Sequence, residues 1–155
     1  MTLEEALIYA KSPEGMQAAR AFLSAAARLD GMIALRLARL DRLRTRGEKM
    51  TQSLNGLKGS GYGDKVGEAA AELADQEKAL LAEYKELLKR QKEIAVAIAR
   101  VPDEQQQMVL EMRYLHSLSY VAISMRIHCD ERQAYRYHNR GLVHVAMQLA
   151  LDGAV

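Results

Sequence analysis

Apolar residues recur at alternating steps of four and three residues along two long stretches of the chain. The first stretch runs from about Met16 to Met50 and the second from Val66 to Val101. Steps of four and three average 3.5 residues, the spacing of a coiled-coil seam. Residues 53–67 between them contain five glycines, which predicts a loop. The pattern therefore predicts an all-α chain in which residues 16–101 form a long, coiled-coil-like antiparallel helical hairpin.

Polar residues interrupt both predicted seams. The seam of the first helix is predicted to consist of Ala19, Leu23, Ala26, Asp30, Ile33, Leu37, Leu40, Arg44 and Gly47. That of the second continues from Val66 through Ala70, Leu73, Glu77, Leu80, Tyr84, Leu87, Gln91, Ile94, Ile98 and Val101. In an antiparallel pair, facing residue numbers have a constant sum, and buried polar residues often fix the register. We therefore expect Arg44 to face Glu77 and Asp30 to face Gln91, within one chain or between two.

The two ends of the chain differ from this hairpin. Residues 1–15 are predicted to form a short or frayed arm, with Ser12 as a plausible cap before Pro13. Residues 102–150 have the pattern of three shorter helices separated by tight turns. Ser119 is expected to cap the second of these helices. Asp130 is expected to cap the third, with Gln133 completing a capping box.

A short helix, a three-residue turn and a longer capped helix are typical of a helix-turn-helix motif. In that motif the last helix presents its first turns to base edges in the major groove, where Arg, Gln and Asn make specific contacts. We expect bases to be contacted by Glu131, Arg132, Gln133, Arg136 and Asn139. We expect phosphates to be contacted by Arg113, Ser119, Arg126, Tyr135 and Arg140, of which Tyr135 could instead contact a base or pack.

Four runs in this region resemble region 4 of sigma-70-type factors, the helix-turn-helix that reads the −35 element of a promoter. The runs are Pro102–Gln105, Val109–Leu115, Leu118–Ile123 and Asp130–Arg136. The chain departs from that pattern at three positions. Val121 and Ala122 stand where acidic residues are usual, and His128 stands where a turn glycine is usual.

A second resemblance extends over roughly residues 16–145. Ser53–Gly56, the loop Gly59–Gly63 and Asp64–Ala69 are followed by a long helix and the predicted helix-turn-helix. This order resembles a family of phage and prophage proteins that are similar in architecture to phage late-gene transcription activators of the RinA/ArpU type. The resemblance implies a DNA-binding regulator of phage or prophage transcription, acting in the cytoplasm of a bacterial host.

Charge leaves alternatives open. Residues 101–155 contain five Arg and six acidic residues, a net charge of −1, although neutralising phosphates drives much of DNA affinity. The chain could instead be a small-terminase-like subunit that recognises DNA for packaging, or a sigma-like module that docks on RNA polymerase.

Helix-turn-helix proteins commonly dimerise, and the hairpin is the expected homodimer surface. A basic run interrupted by Asp41 and Glu48 fits either a solvated face or a supplementary contact with a nucleic-acid backbone. It contains Arg36, Arg39, Arg42, Arg44, Arg46 and Lys49.

Other kinds of chemistry find little support. Cys129 is the only cysteine, which excludes an internal disulfide and fits a reducing compartment. The sequence has neither a signal peptide nor a long apolar span, so we expect a cytoplasmic protein that does not enter a membrane. The glycine-rich loop lacks the phosphate-binding pattern. Histidine and cysteine spacings do not match zinc sites, and we interpret the histidines as turn and helix-surface residues. We therefore expect neither an enzyme nor a cofactor.

Overall fold

A computed structural model of the chain describes residues 1–55 and 63–153, and this described part is all-α, as the sequence predicts. Its α-helices are α1 (Leu3–Lys11), α2 (Pro13–Asn55), α3 (Gly63–Ala99), α4 (Glu104–Leu110), α5 (Tyr120–Arg126) and α6 (Glu131–Leu151). A π-helical turn over Glu111–Leu115 continues α4. No helix in the described part is both long and apolar enough to cross a membrane.

The chain divides into two compact units. Met1–Leu29 and Arg90–Val155 form one, which we call the terminal unit, and Asp30–Lys89 form the other, which we call the two-helix unit. The core of the terminal unit is built largely from alanine, leucine, isoleucine and valine on every one of its helices. Small side chains let helix backbones approach closely, so this unit packs without tryptophan or a buried phenylalanine core.

The first helix is an integral part of the terminal unit. Thr2 and Glu5 form a reciprocal capping box at its start, and Ala6 and Ala10 are completely buried. Helix α1 packs against α6. The arm is therefore short, as expected, but it is a capped and packed helix and is not frayed. Alanines at i and i+4 provide a narrow contact face that the larger exposed residues Leu3 and Ile8 obscure in the sequence.

Helix α2 begins directly after the Ser12 cap that the sequence offers, three residues before the predicted start of the hairpin at residue 16. Pro13 is its first residue, and the Ser12 hydroxyl oxygen accepts a hydrogen bond from the Gly15 amide at 3.1 Å. A β-carbon at Gly15 would collide with the carbonyl oxygen of Tyr9. Glycine is therefore required where α1 turns into α2.

Two ion pairs join α2 and α3 within the two-helix unit. Arg36 Nε lies 2.8 Å from Glu83 Oε2, and Arg44 Nε lies 3.0 Å from Glu77 Oε1. The partner's number falls as the number along α2 rises, so the paired stretches run antiparallel. The predicted contact between Arg44 and Glu77 is confirmed, while the pairing of Asp30 with Gln91 stays a prediction.

The buried stripe of α2 follows the predicted seam at Ala19, Leu23, Ala26 and Leu40 and departs from it at the charged positions. Leu29 and the half-buried Leu43 face the inside, whereas Leu37 is 44% exposed and the Arg44 side chain is 56% exposed. Apolar residues one position earlier thus replace Asp30 and Arg44, because burying a charged group costs more than burying leucine. The Arg44–Glu77 pair is consequently a surface pair, and it does not fix the register from a buried seam.

The second predicted seam is buried or half-buried from Leu80 onward, whereas Ala70 near its start is exposed. The buried residues on it are Leu80, Leu87, Ile94, Ile98 and Val101. The loop expected over residues 53–67 is too long at both ends, because α2 continues to Asn55 and α3 begins at Gly63. A glycine inside a helix costs only about 1 kcal/mol, which α3 tolerates at Gly67. The glycines expected in the middle of the loop lie outside the described residues.

Candidate nucleic-acid interface

Three side chains start the three C-terminal helices. Asp103 Oδ1 accepts a hydrogen bond from the Gln106 amide at 2.9 Å, and Ser119 Oγ accepts one from the Ala122 amide at 3.2 Å. Asp130 Oδ1 accepts a hydrogen bond from the Gln133 amide at 2.6 Å. Each bond satisfies a backbone N–H that the helix leaves unpaired. The predicted caps at Ser119 and Asp130 are confirmed, and at Asp130 this bond is the first half of the predicted capping box.

A small core fixes α4, α5 and α6 against one another. Val109, Ile123 and Ala134, one from each helix, are completely buried together. Partly buried side chains surround them, namely Met112, Leu118, Tyr120, Ile127, Cys129 and Tyr137. Ser124 is also buried, and its hydroxyl donates to the carbonyl of Val121 at 2.7 Å, so its polar atom is satisfied. This core orients α5 and α6 and leaves their outer faces exposed.

Both turns contain a residue in the left-handed region. Ser117 has φ of 54° before α5, and His128 has φ of 56° before α6. This region suits glycine and costs an L residue about 1–2 kcal/mol. The expectation that His128 occupies a glycine-like turn position is therefore confirmed.

The first turns of α6 present a row of arginines. Arg132, Arg136 and Arg140 follow one another at four-residue spacing and are all exposed. None of the three forms an ion pair with any residue that the structure describes. Glu131 is exposed at the start of the helix. This face of α6 therefore exposes three guanidinium groups that pair with no described carboxylate.

Two of the residues expected to contact bases lie deeper. Gln133 is half-buried, and its backbone amide takes part in the cap of α6. Asn139 is half-buried, and its Oδ1 lies 3.2 Å from Nδ1 of His138. The structure thus leaves Glu131, Arg132 and Arg136 exposed on α6 and half-buries Gln133 and Asn139.

The residues expected to contact phosphates separate into two groups. Arg126 and Arg140 are exposed at the end of α5 and on α6. Arg113 instead donates from Nη1 to the carbonyl of Leu118 at 3.0 Å, and its guanidinium carbon lies 4.5 Å from the centre of the Tyr120 ring. Arg113 thereby braces the turn before α5.

Tyr135 and Ser119 also have partners within the chain. The Tyr135 ring packs edge-on against Tyr120, with 5.2 Å between ring centres, although Tyr135 remains 45% exposed. Ser119 uses its oxygen for the α5 cap. Contacts of these residues with DNA stay predictions, and the structure supplies a packing or capping role for each.

A buried histidine forms the centre of this region. His138 is only 2% exposed, and its Nε2 lies 2.7 Å from the hydroxyl of Tyr114. Its ring also packs against the rings of Tyr120 and Tyr135. We call His138, Tyr114, Tyr120 and Tyr135 the His138 cluster. The interpretation of the histidines as turn and surface residues was wrong for His138, which fills space where α6 meets the π-helical turn.

Burial controls the protonation of this cluster. Loss of solvation lowers the pKa of His138 to about 4, opposed by its hydrogen bond to Asn139 and reinforced by the positive charges of Arg20 and Arg113. Burial raises the pKa of Tyr114 to about 12, and the pKa of Tyr120 shifts in the same direction. His138, Tyr114 and Tyr120 are therefore neutral at physiological pH. The cluster supports the arginine row on α6 without adding positive charge to it.

The burial of His138 has a signal in the sequence, namely its spacing from two apolar residues. Ala134, His138 and Leu142 are four residues apart, and both flanking residues are completely buried. Continuing this apolar stripe through a histidine predicts a buried imidazole. At this position the helical spacing is a better guide to burial than the polarity of histidine, because a neutral, hydrogen-bonded imidazole can be buried at modest cost.

The described residues offer no evident metal centre. Residues 1–55 and 63–153 contain no group of three or more His, Cys, Asp or Glu side chains that could hold a metal ion. Cys129 is half-buried in the turn before α6, and its thiol lies 3.3 Å from the carbonyl oxygen of Asp130. In this structure it is a small turn residue beside the core of the three helices.

Comparison with known proteins identifies a family. No curated protein and no solved structure matches the chain. A family model described as "Protein of unknown function (DUF1492)" matches residues 50–145, which is more than half of the 155 residues. The match includes all of α3, α4 and α5, and the arginine row of α6. The chain therefore belongs to the DUF1492 family.

Proposed function

We propose that the chain is a sequence-specific DNA-binding protein that regulates transcription of phage or prophage genes. In this proposal α5 and α6 form a helix-turn-helix that resembles sigma-70 region 4. The observation that carries the proposal is the row of Arg132, Arg136 and Arg140, exposed and free of ion pairs with described residues, on a helix held by a compact core. A rigid helix with unpaired guanidinium groups is well suited to enter a DNA groove.

The geometry suggests different roles for residues along α6. Arg132 and Arg136 lie nearest its N-terminus and are positioned to reach guanine edges, for which the forked guanidinium makes paired hydrogen bonds. Glu131 is positioned to accept from cytosine. Arg140, farther along the helix, and Arg126, at the end of α5, are positioned to contact phosphates on either side.

The experiment is a binding assay with the full chain and a tiled library of phage or prophage DNA from its own genome. We expect one discrete tile to bind, and Arg132→Ala/Arg136→Ala to weaken that binding by about 1–3 kcal/mol for each base interaction that the substitutions remove. The matched control is Arg28→Ala/Arg90→Ala, which removes two exposed arginines from other helices of the same unit. Equal losses on the specific tile and on random duplex would assign Arg132 and Arg136 to phosphates. Absence of binding to every tile would refute the proposal.

A specific observation favours docking on RNA polymerase as a second candidate. Val121 is 53% exposed and Met125 is 72% exposed on α5, one turn apart. In a helix-turn-helix this helix lies across the phosphate backbone, where apolar side chains gain little, whereas they are common in protein interfaces. Co-purification with polymerase that is abolished by Val121→Ser/Met125→Ser, together with failure to bind any DNA tile, would favour this function.

We further propose that the two-helix unit is a helical hairpin that forms the homodimer surface. Leu35, Leu37 and Leu88 are large apolar residues exposed on it. Analytical ultracentrifugation tests the assembly. A dimer that dissociates when these residues are replaced by Ser would support the proposal. A closed ring of many subunits would instead support the small-terminase-like alternative.

A further inference from the structure

A cationic groove lies within the two-helix unit. It has a volume of about 330 Å³ and is lined on the α2 side by Arg39, Arg42 and Arg46. Residues of α3, including Gln76 and Glu83, line the opposite side. Leu43 and Leu80 provide apolar wall between the two rows. Spacings of three and four residues place the three arginines on one face of α2.

The arginines of the basic run divide into two sets. Arg36 and Arg44 are neutralised by Glu83 and Glu77 across the helix pair. The groove arginines are Arg39, Arg42 and Arg46, and all three are exposed. They form no ion pair with any described residue. Ion pairs on a solvated helix face therefore explain the presence of Arg36 and Arg44. They do not explain why three further arginines line the groove.

The charge balance of the groove is positive. Among the described residues that line the groove, Glu83 is the one acidic side chain, and Arg36 already neutralises its carboxylate. Residues 36–49 contain six basic residues against Asp41 and Glu48, a net charge of +4. Residues 101–155, in contrast, have a net charge of −1. The phosphate neutralisation that DNA affinity requires is therefore better supplied by this stretch of α2 than by the last third of the chain.

We propose that the groove arginines bind the sugar–phosphate backbone of duplex DNA without regard to sequence. Seven residues separate Arg39 from Arg46, about 10 Å along a helix. Successive phosphates of one B-DNA strand advance about 3.4 Å along the duplex axis, so three cations over this length match about three phosphates. Guanidinium groups bind phosphate oxygens in pairs, and the Gln76 amide adds a neutral donor. The proposal shares its ligand with the proposed function but does not depend on base contacts by α6.

The test measures the affinity of the full chain for random-sequence duplex across a series of salt concentrations. The variant is Arg39→Gln/Arg42→Gln/Arg46→Gln. The matched control is Lys78→Gln/Lys85→Gln/Lys89→Gln, which removes three exposed positive charges from α3 of the same unit. Circular dichroism and thermal melting establish that each variant retains the helical fold.

We expect the groove variant to reduce the slope of log affinity against log salt by about 2–3, which corresponds to about three phosphate interactions. The lysine control should change the slope by much less. Equal slopes in the wild type and the groove variant, or no binding of random duplex by the wild type, would overturn the proposal. The groove would then be assigned to an acidic protein segment.

Measurements with Arg132→Ala/Arg136→Ala separate this proposal from the proposed function. If α6 does not read bases, the ratio of affinities for the specific tile and for random duplex is the same in that variant as in the wild type. The groove variant then still shows a reduced salt dependence. If the groove does not bind phosphate, the groove variant keeps full affinity for random duplex. Selection of a specific tile by α6 is then unaffected.

Discussion

The hydroxyl of Tyr114 and Nε2 of His138 lie 2.7 Å apart in the interior of the terminal unit. Nδ1 of the same ring lies 3.2 Å from the amide oxygen of Asn139. Because an amide oxygen only accepts, Nδ1 carries the proton, and Nε2 accepts a hydrogen bond from the tyrosine hydroxyl. The pair thus connects the π-helical turn to α6 through a neutral imidazole with both nitrogens occupied.

This neutral imidazole predicts a loss of stability in acid. The folded-state pKa of His138 is about 4, below the ordinary value of 6.5. Between these values the unfolded chain binds a proton that the folded chain does not, so the free energy of unfolding decreases as the pH falls from 6.5 toward 4. At about 1.4 kcal/mol for each pKa unit, the contribution amounts to about 3 kcal/mol. Urea unfolding followed by circular dichroism at several pH values measures it.

Two variants isolate the contribution of His138 to this pH dependence. His138→Gln lowers stability at pH 7 and should remove the histidine contribution to the slope between pH 6.5 and 4. His116→Gln replaces a histidine whose side chain is 61% exposed and serves as the control. Equal slopes for the wild type and His138→Gln would show that the buried imidazole does not resist protonation.

Removal of one hydroxyl tests the hydrogen bond directly. Tyr114→Phe leaves Nε2 of His138 buried without its donor, which should lower the free energy of unfolding by about 1–3 kcal/mol at pH 7. Tyr9→Phe is the control, because Tyr9 is half-buried in α1 and its hydroxyl forms no hydrogen bond with a described residue. A change at Tyr114 no larger than the change at Tyr9 would refute the assignment.

Replacement by alanine is predicted to have opposite effects on stability at Gly141, where α4 and α6 approach closely, and at Gly31, where there is open space. A β-carbon at Gly141 would lie 2.8 Å from Cδ1 and 3.0 Å from Cγ of the completely buried Leu110. Gly141→Ala should therefore lower the free energy of unfolding by about 1–2 kcal/mol, because a well-packed core has little room for an added methyl group.

The matched substitution is Gly31→Ala in the middle of α2. A β-carbon there meets nothing within 4 Å. Alanine should therefore stabilise the helix by about 1 kcal/mol through its greater helix propensity. Chemical unfolding of both variants checks the pair, and stabilisation by Gly141→Ala would contradict the contact with Leu110.

The left-handed conformation of His128 predicts that glycine is better than alanine in this turn. Alanine keeps the cost of positive φ, whereas glycine removes it, so His128→Gly should be more stable than His128→Ala by about 1 kcal/mol. The order should reverse at Met125, which is exposed and helical. Thermal unfolding of the four variants makes the comparison. The same order at both positions would argue against the left-handed turn.

Features that depend on a few neighbouring residues could be predicted from the sequence. Ser119 and Asp130 cap helices because their short side chains reach backbone amides three residues ahead, whatever the rest of the chain does. The burial of Ile123 and Ala134 follows from the spacing of apolar positions in adjacent short helices. For the same reason Arg132 and Arg136 could be assigned to the outer face of α6.

Features that depend on a distant partner could not be predicted in this way. Ala6 and Ala10 become core residues only because α6 covers them, and alanine by itself does not indicate burial. The seam of α2 could follow Asp30 and Arg44 or the leucines one position earlier, since both alternate in steps of three and four. Desolvation of the charged residues decides between them, and that cost depends on the packed neighbour.

The packing of α1 against α6 has a consequence for the order in which the protein folds. During synthesis α1 leaves the ribosome before α6, which follows about 120 residues later, and at 5–20 residues per second this delay is roughly 6–24 s. Until then the alanine face of α1 has no partner, although the pairing of α2 with α3 becomes available earlier. The terminal unit can therefore complete its core only after the two-helix unit, which lies between its two parts in the sequence, has been synthesised. Because α1 and α6 are far apart in the sequence, their contact favours slow folding.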